Sequence, residues 1–277
     1  MNATIRKILT TNSVSRKFYC AARQAYRGRR VARDAGRYFL NPDEFKNALF
    51  AHAAIGTVDL RTVDGLTITI RQNYGDAMTV AEIYLDDCYV RNLTLPRDPL
   101  VIDIGGFIGD FSLYAVKRLN ARKVIVCEPS PRNWPLLLKN IANNGYDDRI
   151  EPVNKAVTDG RDVMMNVDAP DDQQCMVSAY PSGKEPLTAV AGISLGQLLD
   201  DYSVENVDLL KIDCEGGEYL ILECTPSDVL NRIKNIVFEY HDVEGGWAKL
   251  EGAKQRLHRE GYKLRTGRGL VWASRAP

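Results

Sequence analysis

The chain has 277 residues, 45% of them hydrophobic and 26% charged, with 36 Lys or Arg balancing 36 Asp or Glu. That mixture excludes a disordered or fibrous chain and allows one large core with an extension. No run approaches the roughly 18–20 apolar residues of a membrane span. Arg6, Lys7, Arg16 and Lys17 also break up any secretory h-region.

The zero net charge hides an asymmetry. Residues 1–40 hold ten Lys or Arg against the single acid Asp34, so the remainder holds 26 basic and 35 acidic residues. A basic head of this kind suits anionic lipid, glycolipid or nucleic acid, and equally a solvated helix docked on its own acidic body. Six scattered cysteines (Cys20, Cys88, Cys127, Cys175, Cys214, Cys224) form no C-x-x-C pair, which points to a reduced, cytoplasmic protein.

Along the chain, residues 13–40 lack proline and read as helix, and "NPDEF" at 41–45 as a break and a new helix start. "GTVDLRTVDGLTITIRQNYGD" (56–76) alternates with period two around Asp64-Gly65, the mark of a hairpin. "AEIYLDDCYV" fits a helix or a short strand. From "LVIDIGG" onward, short apolar strands alternate with helices: "KVIVCEP", "IEPVNKAV", "VDLLKID" and "IKNIVFEYH", with "LVWAS" as a final strand. Residues 159–190, with Gly160, Pro170, Pro181, Gly183 and Pro186, read as a looser stretch. The pattern predicts an α/β fold, a doubly wound, mostly parallel sheet with ligands at the carboxyl ends of its strands. The expected division is a basic helical extension (1–55), a β-hairpin accessory layer (56–98) and the sheet domain (99–277).

Two acids and a glycine loop mark the first strand ends. "VIDIGGFIGD" places Asp103 two residues before Gly105, Gly106 and Gly109, where glycines let the backbone approach a ligand at a helix N-terminus. It is not the dinucleotide pattern G-x-G-x-x-G, because Gly105 and Gly109 are four apart and Phe107 takes the middle position. A carboxylate at 103 would repel a pyrophosphate but suit a cationic ligand, and Glu128, ending the second strand, suits the two hydroxyls of a ribose. An adenosine ligand with positive charge in place of phosphate is S-adenosylmethionine.

These residues, with "EPSP", "LLKNIANNG", "DLLKIDCEGGE" and "IVFEYH", resemble the FkbM family of S-adenosylmethionine-dependent methyltransferases over about residues 56–265. The resemblance implies a class I (Rossmann-like) methyltransferase fold with an antiparallel C-terminal strand. It implies that Asp103, Gly105, Gly106 and Gly109 cradle the methionine end, with Asp213 beside it. Glu128 would hold the ribose, and Asn154 to Ala156 would line the adenine. Phe107 departs from the family, where a small polar residue is common. The segment 1–50 lies outside the resemblance.

In "LLKID", Lys211 and Asp213 share a face, as do Glu239 and His241 in "IVFEYH". If the two strands are neighbours, these groups converge above the sheet, either as an internal Lys–carboxylate network or as an acceptor site. Methyl transfer to a hydroxyl requires a base, and His241 is the first candidate because histidine is neutral near pH 7. Asp213, Glu215 and Glu239 are rivals for the base or for orienting the acceptor. Magnesium bound through Asp213 and Glu239 is the less favoured variant, with no third ligand evident. The expected activity is methylation of a hydroxyl on a sugar, glycan or natural product. The alternatives are methylation of nucleic acid or protein, disfavoured by the lack of a basic aromatic patch, and non-catalytic binding of an adenosyl ligand.

Overall fold

Apolar runs with β-branched residues at alternate positions build a sheet that is buried on both faces. In the computed structural model, which describes residues 31–50, 56–72, 75–166, 187–241 and 246–275, seven strands form this sheet. They are β3 (Leu100–Ile104), β4 (Lys123–Cys127), β5 (Ile150–Val153), β10 (Leu209–Ile212), β11 (Asn235–Glu239), β12 (Lys263–Gly267) and β13 (Leu270–Ser274). Their order is β12-β13-β11-β10-β3-β4-β5, and β13 runs antiparallel to both neighbours. The chain winds outward from β3 through β4 to β5, then returns to β10 on the other side of β3. That reversal between β3 and β10 opens a crevice at their carboxyl ends.

The two faces read out the alternation. Val101, Val124 and Val126 join one core layer with α3 (Asp110–Arg118) and α4 (Trp134–Asn143). Ile102, Ile104 and Ile125 join the other, with α5 (Leu195–Asp201), α6 (Glu218–Cys224), α7 (Ser227–Asn231) and α8 (Gly246–Arg259). Ser194 caps α5 by accepting the Gln197 N–H at 3.1 Å.

The amino-terminal segments share the first of these layers. Helix α1 (Pro42–Phe50), the hairpin β1 (Thr57–Arg61)–β2 (Thr67–Arg71) and α2 (Asp76–Asp86) contribute Phe45, Leu60, Ile68, Ile70, Ala77 and Tyr84 to it. The hairpin is tied down by side-chain amides. Asn140 accepts the Thr69 N–H at 2.7 Å and donates to the carbonyls of Thr69 (3.0 Å) and Ile108 (2.8 Å). Asn144 repeats the exchange with Thr67. A strand edge that would otherwise face a helix without partners is thereby satisfied, and the glycine loop is linked to the hairpin.

Three local expectations are refined. "AEIYLD" is helical, closing α2, with Asp87 as its C-cap. "IEPVNKAV" divides into β5 and β6 (Ala156–Thr158), and β6 pairs with β9 (Gly192–Ser194) outside the main sheet. The stretch 159–190 carries β7 (Val163–Asn166) and β8 (Leu187–Val190), paired antiparallel. Of the basic head at 1–40, residues 1–30 lie outside the described residues.

Candidate active site

The glycine loop leaves β3 directly against the end of β10. A Cβ on Gly105 would lie 1.7 Å from the Asp213 carbonyl oxygen, and one on Gly106 would lie 2.1 Å from Val126 Cγ2, so neither position has room for a side chain. Gly109 closes the loop with φ 82° and starts α3. A cleft of about 300 Å³ opens above this point. Its lining includes Gly105, Phe107, Asp110, Glu128, Asp213, Glu215, Glu239 and His241, with Glu82 from α2 as a roof. Gly106, Gly109, Asn154 and Ala156 do not line it. The first two shape the loop, while Asn154 donates to the Glu128 carbonyl at 2.8 Å and Ala156 is buried in β6.

Asp103 sits differently from its expected place. It is fully buried, with Lys211 Nζ 3.0 Å from Oδ1 and the Ser112 hydroxyl donating to Oδ2 at 2.7 Å. Register explains the pairing, because Asp103 and Lys211 lie directly opposite each other in β3 and β10. Lys211 also donates to the Gly105 carbonyl at 2.7 Å. Burial opposes its charge, but Asp103 and Asp213 outweigh it and hold the ammonium above its usual range. The internal Lys–carboxylate network is therefore present, and it coexists with an open cluster beside it.

Glu128 is almost enclosed, 4% exposed. It accepts the N–H groups of Phe107 and Ser130, each at 2.8 Å, and Asn133 Nδ2 at 3.3 Å. Burial pushes its carboxyl up to about 7, with those bonds opposing. Arg71 braces the roof over Phe107: its guanidinium lies 5.1 Å from the ring centroid, pairs with buried Asp76 and donates to Asn133.

The open cluster lies at the ends of β10 and β11. His241 Nδ1 is 2.9 Å from Oε1 of Glu218, and its Nε2 is 3.2 Å from Glu215 and 3.8 Å from Asp213. Burial works against charge on this ring, but Glu218, Glu215 and Asp213 raise it to about 10. Those carboxylates favour the cationic form of the ring, whereas a general base has to be neutral. Burial raises the Glu215 carboxyl to about 8 and that of Glu239 well above its ordinary value. Glu239 accepts no hydrogen bond from a described residue.

Sequence reasoning gave no site role to Glu218, Tyr89 or Asp110. Glu218 is wholly buried, accepts the N–H groups of Cys214 (3.0 Å) and Gly216 (2.9 Å), and so fixes both the "CEGG" turn and His241. Its spacing from Asp213 was a usable signal. Tyr89 donates to Asp213 at 2.5 Å from a segment 124 residues away, for which no sequence signal existed. Within the turn, Glu215 holds φ 54° and Phe107 holds φ 49° across the cleft. Left-handed backbone at two non-glycine residues costs about 1–3 kcal/mol each and gathers at functional sites.

Fold and site together define a class I methyltransferase: a sheet that reverses order at β3 and β10, a glycine loop at the reversal, an acid at the end of β4, and acids with a histidine opposite. The chain belongs to the FkbM methyltransferase family, whose domain model matches residues 103–264. It is 23% identical to methyltransferase sdnD of Sordaria araneosa, over 80% of this chain and 95% of that protein. It is 27% identical to the 31-O-demethyl-FK506 methyltransferase FkbM of Streptomyces tacrolimicus, over 67% and 82%. Among solved structures, a methyltransferase FkbM from Methylobacillus flagellatus KT is similar at 15% identity and a TM-score of 0.47, over 71% of this chain and 53% of that one. Among the described residues no helix is long and apolar enough to cross a membrane.

Proposed function

We propose that the protein transfers a methyl group from S-adenosylmethionine to a hydroxyl oxygen of a sugar, glycan or natural-product acceptor. The observation that carries this reading is the charge at the cleft. Asp213, Glu215, Glu218 and Glu239 surround one imidazole, and the nearest lysine is committed to Asp103. Buried carboxylates in such excess are costly, and a cationic donor relieves them. An oxygen acceptor is supported by the Streptomyces relative, a 31-O-demethyl-FK506 methyltransferase.

S-adenosylmethionine supplies a methyl on a cationic sulfur that is its own leaving group. The chain's residues bind, orient and hold a proton. Gly105 brings the loop backbone against the donor site, and Glu128 accepts the ribose hydroxyls. Positioning of the two reactants contributes about 7–11 kcal/mol of barrier lowering in well-oriented reactions. The proton of the acceptor passes to a carboxylate. Glu239, whose carboxylate accepts no hydrogen bond from a described residue and whose carboxyl burial raises well above its ordinary value, is the base; His241, held by Glu218, orients the acceptor.

A metal-assisted variant has one observation in its favour. Asp213, Glu239 and His241 each present a ligand atom, all within 4.8 Å of one another, so His241 supplies the third ligand that sequence reading lacked. It predicts that chelation abolishes turnover and magnesium restores it, and turnover indifferent to chelator rejects it.

Calorimetric titration with S-adenosylhomocysteine, beside NAD and a Glu128→Ala variant, tests the main reading. Binding of the first ligand alone, weakened at least about tenfold in the variant, is the expected result, since bonds to a charged acceptor contribute about 1.5–3 kcal/mol. Binding of NAD in its place overturns the reading.

A further inference from the structure

We propose that Asp110 receives the α-ammonium of the methyl donor and makes the cleft selective for adenosyl ligands that carry a free amine. This rests on the donor reading above and assigns a role that sequence reasoning had given to Asp103.

Asp110 is the first residue of α3, lines the cleft, and is 3% exposed. Its Oδ1 accepts the adjacent Phe111 N–H at 3.0 Å, while Oδ2 is enclosed with no partner among the described residues. A buried acceptor left unmade costs about 1–3 kcal/mol, and more when charged. Helix capping does not account for it, because one oxygen serves the N-terminus and the other serves nothing.

The surrounding charges show which ligand group is missing. Lys211, on β10, is the nearby cation, but it is 3.0 Å from Asp103 and donates to Gly105. Asp103 is completed by Ser112, and Asp76, on α2, by Arg71. Asp103 Oδ1 also lacks a hydrogen bond but has Lys211 Nζ at 3.0 Å, so of the three buried acids around this corner only Asp110 has an oxygen with neither a hydrogen bond nor an ion-pair partner among the described residues. Burial and the neighbouring Asp103 and Asp76 push its carboxyl up to about 7, against the pull of Lys211. An arriving cation reverses that shift, and a neutral hydroxyl does not. A primary ammonium donates to a carboxylate and brings the compensating charge. Glu128 lines the same cleft, so an adenosyl ligand reaches one acid with its ribose and the other with its amino-acid end.

The test compares S-adenosylhomocysteine with its des-amino analogue, which keeps the carboxylate, by calorimetry on the full chain and on Asp110→Asn. For the unmodified protein the analogue is expected to bind about 10–100-fold more weakly. In Asp110→Asn that gap closes to about twofold, because both ligands then lack the pair. A structural role for Asp110 would weaken both ligands alike and leave the gap, which overturns the assignment. Equal binding of the two ligands to the unmodified protein overturns it without any variant, and Asp110→Ser replaces Asp110→Asn if thermal melts show that the latter is unfolded. If S-adenosylhomocysteine itself does not bind, the donor reading fails first and this assignment falls with it.

Discussion

At the amino edge of the sheet, Asp208 is 3% exposed, accepts the Leu100 N–H at 2.9 Å, and pairs with Lys234 at 2.8 Å and Arg122 at 3.0 Å. Burial alone would raise its carboxyl, but those partners hold it below the usual range. At the carboxyl edge, four acids converge on His241, and burial drives Glu215 and Glu239 upward with too few cations to answer. The amino edge also has a cleft, about 520 Å³, lined by Leu100, Arg122, Glu151 and Tyr202. A cleft alone therefore does not distinguish the two ends. One edge balances its charges; the other leaves them unbalanced, where the proposed function puts the cationic donor.

The sharpest break in that contrast is Glu239→Gln. Turnover should fall about 10²–10⁴-fold, the usual contribution of a positioned base, with affinity for S-adenosylhomocysteine within about twofold. Steady-state kinetics beside calorimetry separates the two effects. Glu218→Ala should come next, as a stability change. Removing one member of a buried, hydrogen-bonded charge pair costs about 3–5 kcal/mol, read from denaturant unfolding, and turnover falls because His241 and the "CEGG" turn lose their anchor.

Asp208→Asn should do the reverse, leaving turnover unchanged and lowering stability by about 1–3 kcal/mol. Because the folded carboxyl lies below its unfolded value, this stability is present above that value and is lost as the pH falls below about 4. Parent and variant should converge there.

The carboxyl edge carries the opposite sign. Glu215 rises from 4.5 to about 8 and His241 from 6.5 to about 10, so the folded state holds extra protons across those windows. Their stabilisation is complete below the unfolded values and is lost as the pH rises through the folded ones. Melting temperature of the free protein should decline between about pH 4.5 and 10, less steeply below about pH 8 in Glu215→Gln. Tyr89→Phe, which removes only the bond to Asp213, should give the smallest effect, a severalfold loss of turnover without a change in donor affinity.

The sheet was legible because strands buried on both faces are continuous apolar runs, as in "LVIDI", "KVIVC" and "NIVFE". Asp103 shows the limit. Its partner was set by the register of β3 on β10, which no local pattern encodes, so a buried ion pair and an open ligand acid look alike in sequence. Asp110, seven residues later, has the open oxygen. Tyr89 was hidden in a segment whose apolar residues fit either period, and only packing settled it as the turn after α2. His241 was found by position, but its charge depends on Glu218, whose backbone bonds curl the turn and bring the two together.

The most direct test of the contrast between the two edges is a crystal structure of the protein with S-adenosylhomocysteine. The ligand is expected at the carboxyl edge, its ribose on Glu128 and its amino-acid end beside Gly105 with the ammonium on Asp110. Ligand seated in the cleft beside Arg122 and Tyr202, or none bound at either edge, would contradict this expectation.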